Sequence, residues 1–204
     1  MKKKKVKVSI KIKFYNCLLG FFSLSLIILG FLVISREIKS YTTYKNAQNV
    51  LKSFESLISY EGDEVSYKED EVKIGKYRVI GSINIPSVAL IFPILDTTSP
   101  EALNLSITKL YGPGLNEKGN VSLAGHNSRN GNFFGRLSGV VIDDIIEITD
   151  LSNRVVQYRV YDIYIVGPNN LEPTKTTNDD IREITLITCI QSGKKRLIVK
   201  AIEV

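Results

Sequence analysis

The chain has 204 residues, a formal net charge of +6, and 44% hydrophobic and 24% charged residues. That composition is globular, and the length allows one domain with a real core plus something smaller. Lys2, Lys3, Lys4, Lys5, Lys7, Lys11 and Lys13 crowd the first thirteen residues, and beyond them 20 basic residues face 21 acidic ones, so charge gives no case for nucleic-acid binding.

In chain order, residues 1–13 form a basic tail and residues 14–35 follow as "FYNCLLGFFSLSLIILGFLVIS", 22 residues without a charge. At about 1.5 Å per residue such a helix crosses a hydrocarbon core of about 30 Å. The lysine cluster predicts a cytoplasmic N-terminus, with everything after Arg36 outside the cell membrane. The stretch is longer than a usual signal-peptide core and lacks a small-x-small cleavage site, which predicts a retained single-pass signal anchor. Residues 36–76 read as an extracellular stalk and linker. Ala47, Val50, Leu51, Phe54, Leu57 and Ile58 recur at helical spacing, a stripe expected to pack on the following domain or else on a partner. "YEGDEVSYKEDEVK" then reads as a solvated acidic linker.

Residues 77–204 read mostly as strands: "YRVIGSINI", "VALIFPIL", "NVSLAGH", "DIIEIT", "VVQYRVYDIYIV", "EITLITC" and "RLIVKAIEV". "SPEALNLSITKLYGPG" carries helix signals, with Ser99 as N-cap, Pro100 at the first helical position and Gly112-Pro113 as the stop. The fold class is all-β: a closed or nearly closed barrel of seven to eight strands with a few short helices, preceded by the transmembrane helix.

Two cysteines exclude a disulfide framework: Cys17 lies in the apolar stretch, and Cys189 is a lone thiol in the exported part. That compartment oxidises thiols, so Cys189 is either a buried inert side chain or a working nucleophile. His126, the single histidine, ends an apolar strand where a glycine-rich loop begins; alone it is structural or exposed as readily as catalytic. Together the two fit a thiolate nucleophile paired with an imidazole. Arg196 returns to the same site if "IQSGKK" makes a turn, and would stabilise an oxyanion there, with Lys194 and Lys195 left in the turn. One histidine and one usable cysteine make a poor soft-metal site, and the acids form no spaced ligand set; no metal or cofactor is expected.

"TLITC", Thr185 to Cys189, resembles the TLxTC signature of the sortases; "LAGHNS" resembles their histidine motif, and Arg196 in "KKRLIVKA" stands where their arginine does. Order and spacing agree, with Cys189 sixty-three residues after His126. The resemblance covers about Ile80 to Val204. It implies a cysteine transpeptidase in which Cys189 is the nucleophile, His126 the general acid and base, and Arg196 the oxyanion or substrate-positioning residue. Implied partners are LPxTG-like sorting peptides of exported proteins and an amine of a peptidoglycan cross-bridge or its precursor. Thr188, Asn127 and Pro168 are assigned to substrate binding, Pro168 within the loop Gly167 to Arg182 that should wall the peptide groove. That short loop resembles class A or D, whereas "HNSRNGNFFGRL" resembles class B; class D is the first reading and class B the second. The absence of a second span after Val204 and of an Asp-Pro-aromatic lid motif argues against class C. Two rivals are a sortase-fold protein that binds sorting peptides without turnover, and an anchored scaffold whose lone Cys and His are structural.

Overall fold

The computed structural model describes residues 2–58 and 72–204. By its internal contacts the chain divides into Met1–Thr42 and Thr43–Val204. The first unit is the amino-terminal part of helix α1 (Lys2–Ile58). Its apolar side chains from Phe14 to Ile34 are exposed. Among the described residues it is the one helix long and apolar enough to cross a membrane.

In the second unit, the remaining turns of α1 deliver the helical stripe to the core. Ala47 and Phe54 are buried within the barrel's hydrophobic cluster, Val50 packs at its edge, and Leu51 is buried as well. The side chains of Leu57 and Ile58, and the acidic linker over 59–71, lie outside the described residues.

A two-residue ribbon, β1 (Lys73–Ile74), leads into eight barrel strands: β2 (Tyr77–Ile85), β3 (Leu90–Leu95), β4 (Ile107–Tyr111), β5 (Gly119–Gly125), β6 (Ile145–Asp150), β7 (Val155–Val166), β8 (Arg182–Ile190) and β9 (Lys195–Glu203). The order is β2-β3-β4-β5-β8-β9-β7-β6, and β6 pairs back onto β2, so the sheet closes. Alternation decides the two faces. Val121, Leu123, Ile184, Leu186, Val199 and Ala201 belong to the interior cluster, while the residues between them turn outward.

One expected element is shorter than its signals suggested. Helix α2 spans only Pro100–Leu103, capped as expected by Ser99, whose Oγ accepts from the Ala102 N–H at 3.1 Å. It does not run to Gly112-Pro113. Ile107 and Thr108 are β-branched and pair with Ile94 and Leu95 on one side, and Thr108 pairs with Ala124 on the other. Barrel closure recruits this segment into β4 against the local helix signals. Lys195 is a second correction: it opens β9 opposite Ile190 instead of staying in the turn.

Candidate active site

Four chain segments meet at one rim of the barrel. β5 and β8 run parallel in a register that pairs Gly125 with Thr188, which sets His126, just past the end of β5, beside Cys189, still on β8. β8 and β9 are antiparallel, and Cys189 stands directly opposite Arg196. Directly paired residues share a face, with Cβ atoms about 4.5–5.5 Å apart. Arg196 is also opposite Val166, the last residue of β7, so Gly167 and Pro168 begin beside it.

The register at Cys189 depends on a strained connection. Gln191, Ser192 and Gly193 all have positive φ, of 50°, 55° and 87°. This compact turn lets the chain reverse within a few residues and return Arg196 to the thiol's face. The Arg196 guanidinium donates from Nη1 to the carbonyls of Gly193, at 2.9 Å, and Lys195, at 3.2 Å, which holds its head group over the turn.

The face is set by alternation along β8. Ile184 and Leu186 point into the core, so Thr185, Ile187 and Cys189 point out. Cys189 and His126 are both partly exposed. Thr188, between them in register, faces the other way. It is 2% exposed, and its hydroxyl donates to the Gly125 carbonyl at 2.8 Å, tying β8 to β5 just before the cysteine and the histidine. Asn127 and Pro168 are exposed at the rim, and Asn127 bridges to Phe133 across the histidine loop.

That loop is closed by its own backbone. Phe134 N–H donates to the His126 carbonyl at 3.0 Å, and Gly131 and Gly135 N–H donate back to Ser128 and Asn132. Two glycines admit this packing. A Cβ on Gly125 would stand 2.8 Å from the Phe134 ring, and one on Gly135 would stand 2.2 Å from the Ser128 carbonyl oxygen.

The loop between β7 and β8 folds against the outward face of β5 and β8. Its 3-10 turn Glu172–Thr174 buries Pro173, whose carbonyl accepts from Asn120 Nδ2 at 3.0 Å and Thr185 Oγ1 at 3.1 Å. Asn120 Oδ1 in turn accepts from Thr185 Oγ1 at 2.8 Å.

The sequence reading missed a charged cluster on the same face. Lys200 Nζ lies 2.6 Å from Glu183 Oε1, with both residues buried. The Tyr161 hydroxyl donates to the same carboxylate oxygen, and Thr177 Oγ1 donates to the other at 3.4 Å. Burial first, and then the bond to Glu183, push the Tyr161 phenol above its ordinary range. The signal was present as charges at outward positions of two apolar strands, a pattern that ordinarily marks a solvated face.

A family model described as the Sortase domain matches residues 83–204. Sortase A of Bacillus anthracis is 34% identical over 129 residues, covering 62% of this chain and 60% of that protein. Sortase A of Listeria monocytogenes is 33% identical over 115 residues, covering 56% of this chain and 50% of that protein. The chain thus spans about half to three-fifths of the length of these relatives. The Clostridium perfringens Sortase D5 transpeptidase structure superposes with a TM-score of 0.66 at 26% identity, over 78% of this chain and 99% of that one. With eight strands closed in this order, and with the matched region spanning the histidine, cysteine and arginine at one rim, the chain belongs to the sortase family.

Proposed function

We propose that this protein is a membrane-anchored cysteine transpeptidase that joins exported proteins to an amine of a Gram-positive cell wall. The observation that carries the reading is the register at the rim: Cys189 opposite Arg196, and His126 one step beyond the Gly125–Thr188 pair.

In this reading, the Cys189 thiolate attacks the threonine carbonyl carbon of an LPxTG-like motif. The new C–S bond pushes the carbonyl electron pair onto oxygen, where the Arg196 guanidinium stabilises the negative charge. Collapse breaks the Thr–Gly C–N bond, and the His126 imidazolium protonates the departing amine. The resulting thioester is attacked by a peptidoglycan cross-bridge or precursor amine, which gives its proton to His126, and Cys189 leaves as thiolate. Asn127 and Pro168, exposed on either side of the rim, contact the peptide, and the loop from Gly167 to Arg182 forms one wall of its groove. Thr188, with its hydroxyl committed to Gly125, serves the peptide by fixing the two strands that bear the reacting groups.

The apolar part of α1 anchors the enzyme with its lysine-rich end in the cytoplasm and the barrel outside. A class D assignment is supported by the short connection between β7 and β8, which holds one 3-10 turn where a class B enzyme is expected to carry a long helix, and by the likeness to the D5 enzyme.

The test is a screen of LPxTG-like peptides against the full-length enzyme in detergent, with an amine acceptor, read by mass spectrometry. A ligated product confined to one motif class supports the reading. Tight peptide binding without cleavage would replace it with a non-catalytic peptide-binding role.

A further inference from the structure

The histidine loop and the helix that follows the apolar stretch are joined by three aromatic rings. Tyr44 on α1 meets Phe92 of β3 edge-on, with centroids 6.0 Å apart and planes at 71°. Phe92 meets Phe133 at 5.4 Å and 50°. Phe133 is 6% exposed and has φ of 53°, a left-handed conformation that a bulky residue holds only when its surroundings enforce it. Its backbone bridges Asn127, and the next residue, Phe134, donates its N–H to the His126 carbonyl at 3.0 Å.

Two hydrogen bonds brace the stack. Gln48 Nε2, one turn along α1 from Tyr44, donates to the Ile91 carbonyl at 2.9 Å. Arg136, at the far end of the loop, donates from Nη1 to the Ala89 carbonyl at 3.0 Å. A cavity of about 280 Å³, lined in part by Tyr44, Ile91, Phe92, Asn132 and Arg136, opens beside the rings. Beside this opening, the helix reaches the loop through the rings.

We propose that Tyr44, Phe92 and Phe133 form a positioning relay through which the membrane-proximal helix sets the orientation of the His126 imidazole. The strained Phe133 is the joint: its ring is held from the helix side, its backbone bridges Asn127, and its neighbour Phe134 holds the His126 carbonyl. Tyr44 acts on the imidazole through the other two rings. The proposal rests on the acid–base role given to His126.

His126 is the only histidine in the chain, so its imidazole gives a single NMR signal that reads the relay without reference to activity. The experiment uses the full-length protein in detergent micelles, labelled at histidine Cε1. Wild type, Tyr44→Ala and Tyr44→Phe are compared, with kcat and KM measured on a sorting peptide. Tyr44 is 39% exposed on a helix, so the alanine variant is expected to fold, and circular dichroism checks it. We expect Tyr44→Ala to shift and broaden the imidazole signal and to lower kcat about tenfold with KM nearly unchanged, and Tyr44→Phe to restore both. An imidazole signal in Tyr44→Ala identical to wild type would overturn the relay. So would a rise in KM at constant kcat, which would make Tyr44 a substrate contact. If wild type turns over no peptide, the proposed activity fails while the imidazole comparison still decides the relay.

Discussion

The two rims of the barrel are built from the same strands by opposite rules. At the rim away from Cys189, polar side chains interlock. Asn116 is 1% exposed, and its Nδ2 donates to the Ile148 and Arg154 carbonyls and to Asp150 Oδ2, while its Oδ1 accepts from the Tyr158 hydroxyl. Arg154 pairs with Asp150 at 2.9 Å, and Arg182 donates to the Asn116 carbonyl and to Glu203. At the other rim, Cys189 and His126 are partly exposed and the Arg196 guanidinium rests on turn carbonyls. One end spends its hydrogen-bonding capacity on closing the barrel. The other holds the proposed reacting groups by backbone register and leaves their side chains able to meet a substrate, the division expected of a rigid scaffold carrying a site.

The comparison predicts that changes at the reactive rim alter turnover while leaving stability nearly intact, and that changes at the closed rim do the reverse. The largest effect after loss of the thiol is expected from Arg196→Ala, which should lower kcat by about 10²–10³. Arg196→Lys should fall less, since an ammonium lacks the planar fork. Lys194→Ala and Lys195→Ala should change kcat/KM only slightly. If Lys195→Ala proves as damaging as Arg196→Ala, the facing of Cys189 and Arg196 is not what matters.

Lys200→Met strands the buried Glu183 carboxylate, and urea unfolding should show a loss of about 3 kcal/mol. Adding Glu183→Leu should recover most of it; an equally unstable double variant would mean that Lys200 acts through packing alone. At the closed rim, Asn116→Ala should cost about 2 kcal/mol, because it orphans several buried partners, with kcat/KM unchanged. A fall in turnover without a fall in stability would erase the contrast between the two ends.

Tyrosine titration sharpens the same contrast. Tyr158 is raised mainly by burial, then by Glu203, and Tyr161 by burial and its bond to Glu183. A folded-state value above the unfolded one stabilises the fold fully below the ordinary phenol range near about 10 and is lost as pH rises past it. Tyr158→Phe and Tyr161→Phe should therefore leave the shape of the stability profile between pH 6 and 9 unchanged and flatten its alkaline decline. The smallest effect is expected at Ser122, a fully buried residue whose Oγ has no hydrogen-bond partner among the described residues. Ser122→Ala should be neutral or stabilising by up to about 1 kcal/mol in thermal unfolding.

Much of this architecture is legible in the chain because alternation is strong where a strand has one buried face. β2 and β7 occupy the expected segments, Tyr77–Ile85 and Val155–Val166. The 3.6-residue spacing of Ala47, Val50, Leu51 and Phe54 marks the face of α1 that turns away from solvent. What stayed hidden depends on partners distant in sequence. Ile107 to Tyr111 carries no local cue strong enough to outweigh Ser99, Pro100 and the Gly112-Pro113 stop; pairing with β3 and β5 makes it a strand. Glu183 and Lys200 look like surface charges until the hairpin register brings them together. The motifs mark His126, Cys189 and Arg196, but nothing local in Thr188 says which face it takes. Alternation counted back from the cysteine does, and it turns Thr188 into the barrel.

In the proposed reaction Cys189 forms an acyl-enzyme at the open rim. Intact-protein mass spectrometry of the full-length enzyme, incubated with a sorting peptide and no acceptor amine, tests it most directly. The expected result is a mass increase equal to the peptide's acyl portion, mapped to Cys189, discharged by an added amine and absent from Cys189→Ala, with Cys17→Ala behaving as wild type. An adduct on another residue, or peptide turnover retained in Cys189→Ala, would contradict it.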